Sequence, residues 1–118
     1  MLAASDNSTT MGLVPCAVGG TQIKEWEKGS KLYEQMIERA KAAIRESGTI
    51  KALLWYQGES DTLSSANVKE FPRRLEALIT NVRSDLQIDD LPVIQVLLTC
   101  ASLFQISHKL LKFLWHHF

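Results

Sequence analysis

Four polar side chains, Gln57, Glu59, Ser60 and Asp61, crowd one short turn directly after the apolar, aromatic segment Leu54-Trp55-Tyr56. A connecting loop needs little more than a glycine and one or two polar residues, so this turn is a candidate for chemistry. Gln57 ends the apolar run, and its amide can donate to a developing oxyanion, the role that Asn or Gln plays in acyl transfer. The same amide can equally brace the loop. Glu59 and Asp61 read as loop-pinning carboxylates rather than as an acid–base pair. Ser60 lacks the surroundings of a nucleophile: Thr62 stands where glycine would close a Gly-x-Ser-x-Gly elbow, and no histidine maps near it to act as base.

A second candidate is Gly19-Gly20-Thr21, which follows another apolar run. No Gly-Lys-Ser/Thr comes after it and no Gly-x-Gly-x-x-Gly occurs, so phosphate or dinucleotide cradling has no motif behind it. The glycines can present an unshielded backbone N–H to an oxyanion, or they can simply turn the chain; both readings stand. Trp26 and Trp55 raise the question of sugar stacking, because an aromatic face packs well on sugar C–H groups. Trp55 reads as core, whereas Trp26, in the loop beyond the first apolar run, is divided between core and sugar contact. His116-His117 has no carboxylate or cysteine partner in the pattern of a metal site. Cys16 and Cys100 form no Cys-x-x-Cys pair and read as reduced residues. No cofactor and no metal are implied.

The elements that must position these loops follow from periodicity. Gly12–Val18 is a short apolar run that suits a buried strand. Ser30 opens a stretch in which Leu32, Tyr33, Met36, Ile37, Ala40, Ala43 and Ile44 recur at helical spacing, and Gly48 stands where that helix ends. A second strand is predicted over 49–56, rich in branched and aromatic residues. From Val68 the set Phe71, Leu75, Leu78, Ile79, Val82 and Leu86 predicts a second helix near 67–86, with Asn67 and Glu70 as a capping-box variant. Pro72 is discordant, so the helix is expected to start or kink there. After the turn at Asp89-Asp90-Leu91-Pro92, a third strand is predicted over 93–98. Apolar strands alternating with helices imply a parallel sheet of the α/β class. Ligand sites in such sheets lie beyond the carboxyl ends of the strands, and both candidate loops sit there.

Composition narrows the function classes. Thirteen Lys and Arg balance thirteen Asp and Glu in the 118 residues, leaving no broad field to hold nucleic acid or an anionic membrane. No apolar run reaches the roughly 18–20 residues of a membrane span. Residues 1–10 lack the basic flank and apolar stretch of a secretory signal, so a cytoplasmic address is the default expectation. Leu103, Phe104, Ile106, Leu110, Leu111, Phe113, Leu114, Trp115 and Phe118 load the C-terminal tail with apolar surface, which must be buried, bind a partner or self-associate, or aggregate.

Together Gly12-Leu-Val-Pro-Cys-Ala-Val-Gly-Gly-Thr21, Trp26, Gly29, Leu32-Tyr33, Leu54-Trp-Tyr-Gln-Gly-Glu-Ser-Asp61, Arg83-Ser-Asp-Leu86 and Leu91-Pro-Val-Ile-Gln-Val96 resemble the plant probable carbohydrate esterases. These form part of the sialate O-acetylesterase-like branch of the SGNH-hydrolase superfamily. The resemblance implies a flavodoxin-like three-layer α/β/α fold, of which this chain carries the βαβαβ portion. It also implies an enzyme that removes acetyl groups from sugars with a serine nucleophile, a catalytic histidine and an oxyanion hole. Gly19 or Gly20 matches the family's second block and Gln57-Gly58-Glu59 its third, which assigns oxyanion donors to these positions.

The departures are as informative. No Gly-Gln-Ser-Asn block is present, and no aspartate has a histidine three residues on. The sequence therefore divides into a non-family segment 1–11, a partial esterase domain 12–98 and a divergent tail 99–118. The expected function is the oxyanion side of a carbohydrate O-acetylesterase-like domain, inactive alone, with acetylated carbohydrate as the ligand the family implies. The alternatives are a non-catalytic sugar- or partner-binding remnant and an inaccurate gene model.

Overall fold

A computed structural model describes residues 11–46 and 48–97. Helix α1 spans Lys31–Arg45, strand β1 Leu53–Gln57, helix α2 Ser65–Leu86 and strand β2 Val93–Leu97, with 3₁₀ turns at Ile23–Trp26 and Ser60–Leu63. β1 and β2 pair in parallel, Leu53 opposite Val93 and Trp55 opposite Gln95. The result is a partial α/β fold, as the alternation of apolar runs and helical periods requires.

Local chemistry sets the helix ends. The Ser30 side chain accepts from the Tyr33 N–H and caps α1, a contact typically worth about 1 kcal/mol. Beyond α1 the Gly48 N–H donates to the Ala43 carbonyl at 3.0 Å, closing the last turn. A Cβ on Gly48 would come within 2.6 Å of the Ala43 oxygen, so close backbone approach calls for glycine there. At the end of α2, Gln87 adopts a left-handed conformation with φ 57°. The Ile88 N–H then reaches back to the Arg83 carbonyl at 3.0 Å.

The core is one cluster. Ile23 and Trp26 from the first 3₁₀ turn, Tyr33, Met36 and Ile37 from α1, and Phe71, Leu75, Leu78, Ile79 and Val82 from α2 pack with Trp55, Leu91 and Val93. Both helices thus serve one face of the sheet. On the other face the alternate residues Leu54, Tyr56, Ile94 and Val96 are all exposed, which leaves two layers among the described residues. The alternation of side chains across a strand puts these four side by side.

Three expectations are corrected. Residues 12–18 form no strand: the segment pairs with neither β1 nor β2, and Leu13, Val14 and Val18 are exposed. Pro15 interrupts any ladder in the middle of the run, and the segment is instead tethered by Arg39 Nη1, which donates to the Pro15 carbonyl at 2.8 Å. Of the two readings of Pro72, a start or a kink, the start is excluded, because helix α2 runs through it from Ser65. The lost bond is offset by the buried Phe71 and Leu75 on either side, since tertiary burial overrides local propensity. Asn67 and Glu70 are not a capping box, because Ser64 occupies the cap position and Glu70 accepts from Arg73 at 2.7 and 2.9 Å. The strand boundaries also tighten, to 53–57 from 49–56. The last residue of the 93–98 reading, Leu98, lies outside the described residues, as do segments 1–10 and 99–118.

Candidate functional site

The carboxyl end of β1 meets the Gly19–Thr21 loop through Gln57. Its Nε2 donates to the Thr21 carbonyl oxygen at 2.8 Å, which fixes the amide's orientation, because a carbonyl can only accept. Gln57 is 9% exposed, and its Oε1 is buried without a partner among the described residues. An amide NH₂ carries two donors, and the Thr21 oxygen takes one. Gln57 therefore braces the loop with one N–H and retains a second.

Two further bonds join the same segments. Gln22 Nε2 donates to the Ser60 carbonyl at 3.2 Å, and the Ile23 N–H is shared by both carboxylate oxygens of Asp61, at 3.0 and 3.1 Å. Asp61 is 1% exposed. Burial pushes its carboxyl above the usual carboxylate range, opposed by the Ile23 N–H and the Arg74 charge; Glu25 raises it further and Lys24 lowers it. Glu25 also accepts from the Gln22 N–H at 2.7 Å, closing the 3₁₀ turn on itself.

Thr21 is the junction of this region. Its Oγ1 donates to the Val18 carbonyl at 2.8 Å and accepts from Trp26 Nε1 at 3.0 Å, while its own carbonyl receives Gln57. Trp26 meets Trp55 edge to face, with ring centroids 5.3 Å apart at 87°. At 4% exposure Trp26 has no open face for a sugar. The sugar-stacking reading of Trp26 is therefore corrected to core packing, because the ring is enclosed against Trp55 and its N–H is already used inside the protein.

Gly19 and Gly20 are exposed, and neither amide donates a hydrogen bond among the described residues. Gly20 turns at φ 75° with open space where a Cβ would sit, so backbone conformation rather than crowding selects glycine. Glu59 is exposed; its carbonyl, not its carboxylate, accepts from the Thr62 N–H and hydroxyl, at 3.3 and 2.7 Å. The Ser60 carbonyl is taken by Gln22. All three histidines, His108, His116 and His117, lie outside the described residues. No cluster of three metal-ligating side chains occurs among the described residues, and no helix there is long and apolar enough to cross a membrane.

Two participants escaped the sequence reading. Thr21 was visible beside the glycines, yet a polar residue at a loop's end gives no hint that it will serve three partners. Gln95 stands opposite Trp55 with both amide atoms buried and unpartnered among the described residues. Its signal was a lone glutamine inside Val-Ile-Gln-Val-Leu.

Comparison with known proteins agrees with the motifs. The family model described as carbohydrate esterase, sialic acid-specific acetylesterase matches residues 1–112, a wider span than 12–98. A probable carbohydrate esterase of Arabidopsis thaliana is 51% identical over 90 residues, covering 76% of this chain and 35% of that protein. The X-ray structure of that Arabidopsis protein superposes with a TM-score of 0.68 at 51% identity, over 69% of this chain and 34% of the other. The chain thus spans about a third of the length of the relative it matches. With the motif blocks, the fold and all three comparisons in agreement, the chain belongs to the carbohydrate esterase, sialic acid-specific acetylesterase family.

Proposed function

We propose that this chain carries the oxyanion side of a carbohydrate O-acetylesterase site and does not turn over acetyl esters alone. The observation that carries the reading is the Gln57–Thr21 bond, which sets a donor-bearing amide beside the Gly19-Gly20 loop at a strand's carboxyl end. Donors preorganised at that location stabilise the charge that develops on an ester oxygen during attack. Attack itself needs a nucleophile with an adjacent base, and the sequence holds neither a Gly-Gln-Ser-Asn block nor an Asp-x-x-His pair. Acetylated sugar is the substrate class that family membership supports. An acetyl-ester hydrolysis assay on the purified chain tests this, paired with a thermal melt: a cooperative melt with no hydrolysis supports the reading, and turnover contradicts it.

A second reading is non-catalytic, with the chain binding a further copy of itself. It is favoured by the open apolar face of Leu54, Tyr56, Ile94 and Val96, and the apolar tail 101–118, outside the described residues, adds to it in composition. Sedimentation velocity separates the two: a concentration-independent monomer removes the second reading.

A further inference from the structure

We infer that Asp61 is a positioning residue: its carboxylate holds the chain at Ile23, and through that the Gly19–Thr21 loop, against the carboxyl end of β1 beside Gln57. This rests on the oxyanion reading for its purpose, though not for its geometry.

Three bonds cross between segments 21–23 and 57–61, and that of Asp61 is the most enclosed. Both carboxylate oxygens converge on the one Ile23 N–H, at 3.0 and 3.1 Å, from a side chain 1% exposed. Burying a carboxylate is costly, so its gain lies in placement more than in stability. Around it stand Arg74 from α2, Lys24 and Glu25 from the first 3₁₀ turn, two cations against one anion, which offset the burial only in part.

Ile23 lies three residues after Gly20, and the intervening chain is stiffened. Thr21 Oγ1 links the Val18 carbonyl to Trp26 Nε1, so residues 18–21 are tied to the turn that Asp61 fixes. Release at Ile23 therefore displaces Gly19 and Gly20 relative to Gln57. A built-in reporter exists, because Trp26 ends the same 3₁₀ turn and contacts Trp55 of β1.

The test compares Asp61→Ala and Asp61→Asn with the unmodified full-length chain. Three signals are read: the near-ultraviolet circular dichroism of the tryptophan pair, the amide resonances of Gly19 and Gly20, and the shift of those resonances on titration with sodium acetate. Asp61→Ala should lose the tryptophan band, move both glycine resonances and lose their acetate response, while the helical far-ultraviolet signal persists. Asp61→Asn should restore all three, because its Oδ1 accepts the same N–H. Unchanged glycine resonances and tryptophan band in a folded Asp61→Ala variant overturn the inference. Should that variant not fold, Asp61→Asn decides: native glycine resonances support the inference and displaced ones in a folded protein overturn it. If the unmodified chain gives no acetate response, the oxyanion reading fails, while the positioning role is still judged from the tryptophan band and the glycine resonances.

Discussion

The Gln57 side-chain amide donates to the main-chain carbonyl of Thr21 at 2.8 Å, across 36 residues of sequence. This bond joins the end of β1 to a loop that belongs to no strand or helix. Removing it leaves a carbonyl unsatisfied in a half-buried position, a loss of about 1–3 kcal/mol. We expect Gln57→Ala to lower the melting temperature by about 4–8 °C per kcal/mol lost. Gln57→Glu should destabilise further at neutral pH, where its carboxylate opposes the Thr21 oxygen, and recover on acidification. A Gln57→Ala variant that melts with the unmodified chain contradicts this.

Asp61 sets one pH dependence. Its carboxyl titrates higher in the fold than in the unfolded chain, chiefly because burial disfavours the charge. The folded form therefore binds the proton more readily, and the resulting stability is complete below the unfolded pKa of about 3.9 and is lost as pH rises through the folded value. Relative to Asp61→Asn, the unmodified chain should gain stability as pH falls, a difference readable from paired melts. A difference independent of pH rejects the account.

Asp85 works in the opposite sense. The Lys28 ammonium at 2.7 Å and the Tyr33 hydroxyl at 2.6 Å hold its carboxyl below the usual range. Its contribution is present above about pH 3.9 and is lost as pH falls through the folded value. Tyr33 is fully buried, and Tyr33→Phe should cost about 1–2 kcal/mol near neutrality and flatten the acid limb of the stability curve. Equal acid sensitivity in both proteins would show that this bond contributes nothing.

Gln87 offers a stabilising change. A non-glycine residue at φ 57° carries a penalty of about 1–2 kcal/mol, part of which glycine returns to the unfolded state as entropy. Gln87→Gly should raise the urea midpoint by the equivalent of about 0.5–1 kcal/mol with an unchanged slope. A lower midpoint would mean that the glutamine side chain makes a contribution absent from its backbone geometry.

These contrasts show what the sequence made legible. Helices α1 and α2 were visible because their apolar sets recur at the helical period over many residues. β1 and β2 were visible as apolar runs between turn residues. The 12–18 run looked the same by composition, yet strandhood depends on a neighbour's free edge, which no local pattern encodes; Pro15, in the middle of the run, was the contrary signal passed over. At the site, the two loops were legible because polar residues crowded the ends of apolar runs. Their bonding was not: that Trp26 faces Trp55, or that Asp61 reaches Ile23, depends on how α1 and α2 close the core.

The central claim, an oxyanion side without attack, is tested most directly by hydrolysis of p-nitrophenyl acetate and acetylated xylan. The purified chain is compared with its Gln57→Ala and Ser60→Ala variants. Serine hydrolases stripped of their triad keep about 10³–10⁴-fold acceleration over water, but from an otherwise complete site. Here the sequence holds neither a Gly-Gln-Ser-Asn block nor an Asp-x-x-His pair, and Gln57 has one amide N–H committed to Thr21, so we expect all three proteins to match the uncatalysed rate. Clear turnover by the unmodified chain, abolished by Ser60→Ala, would contradict the account and identify Ser60 as a working nucleophile.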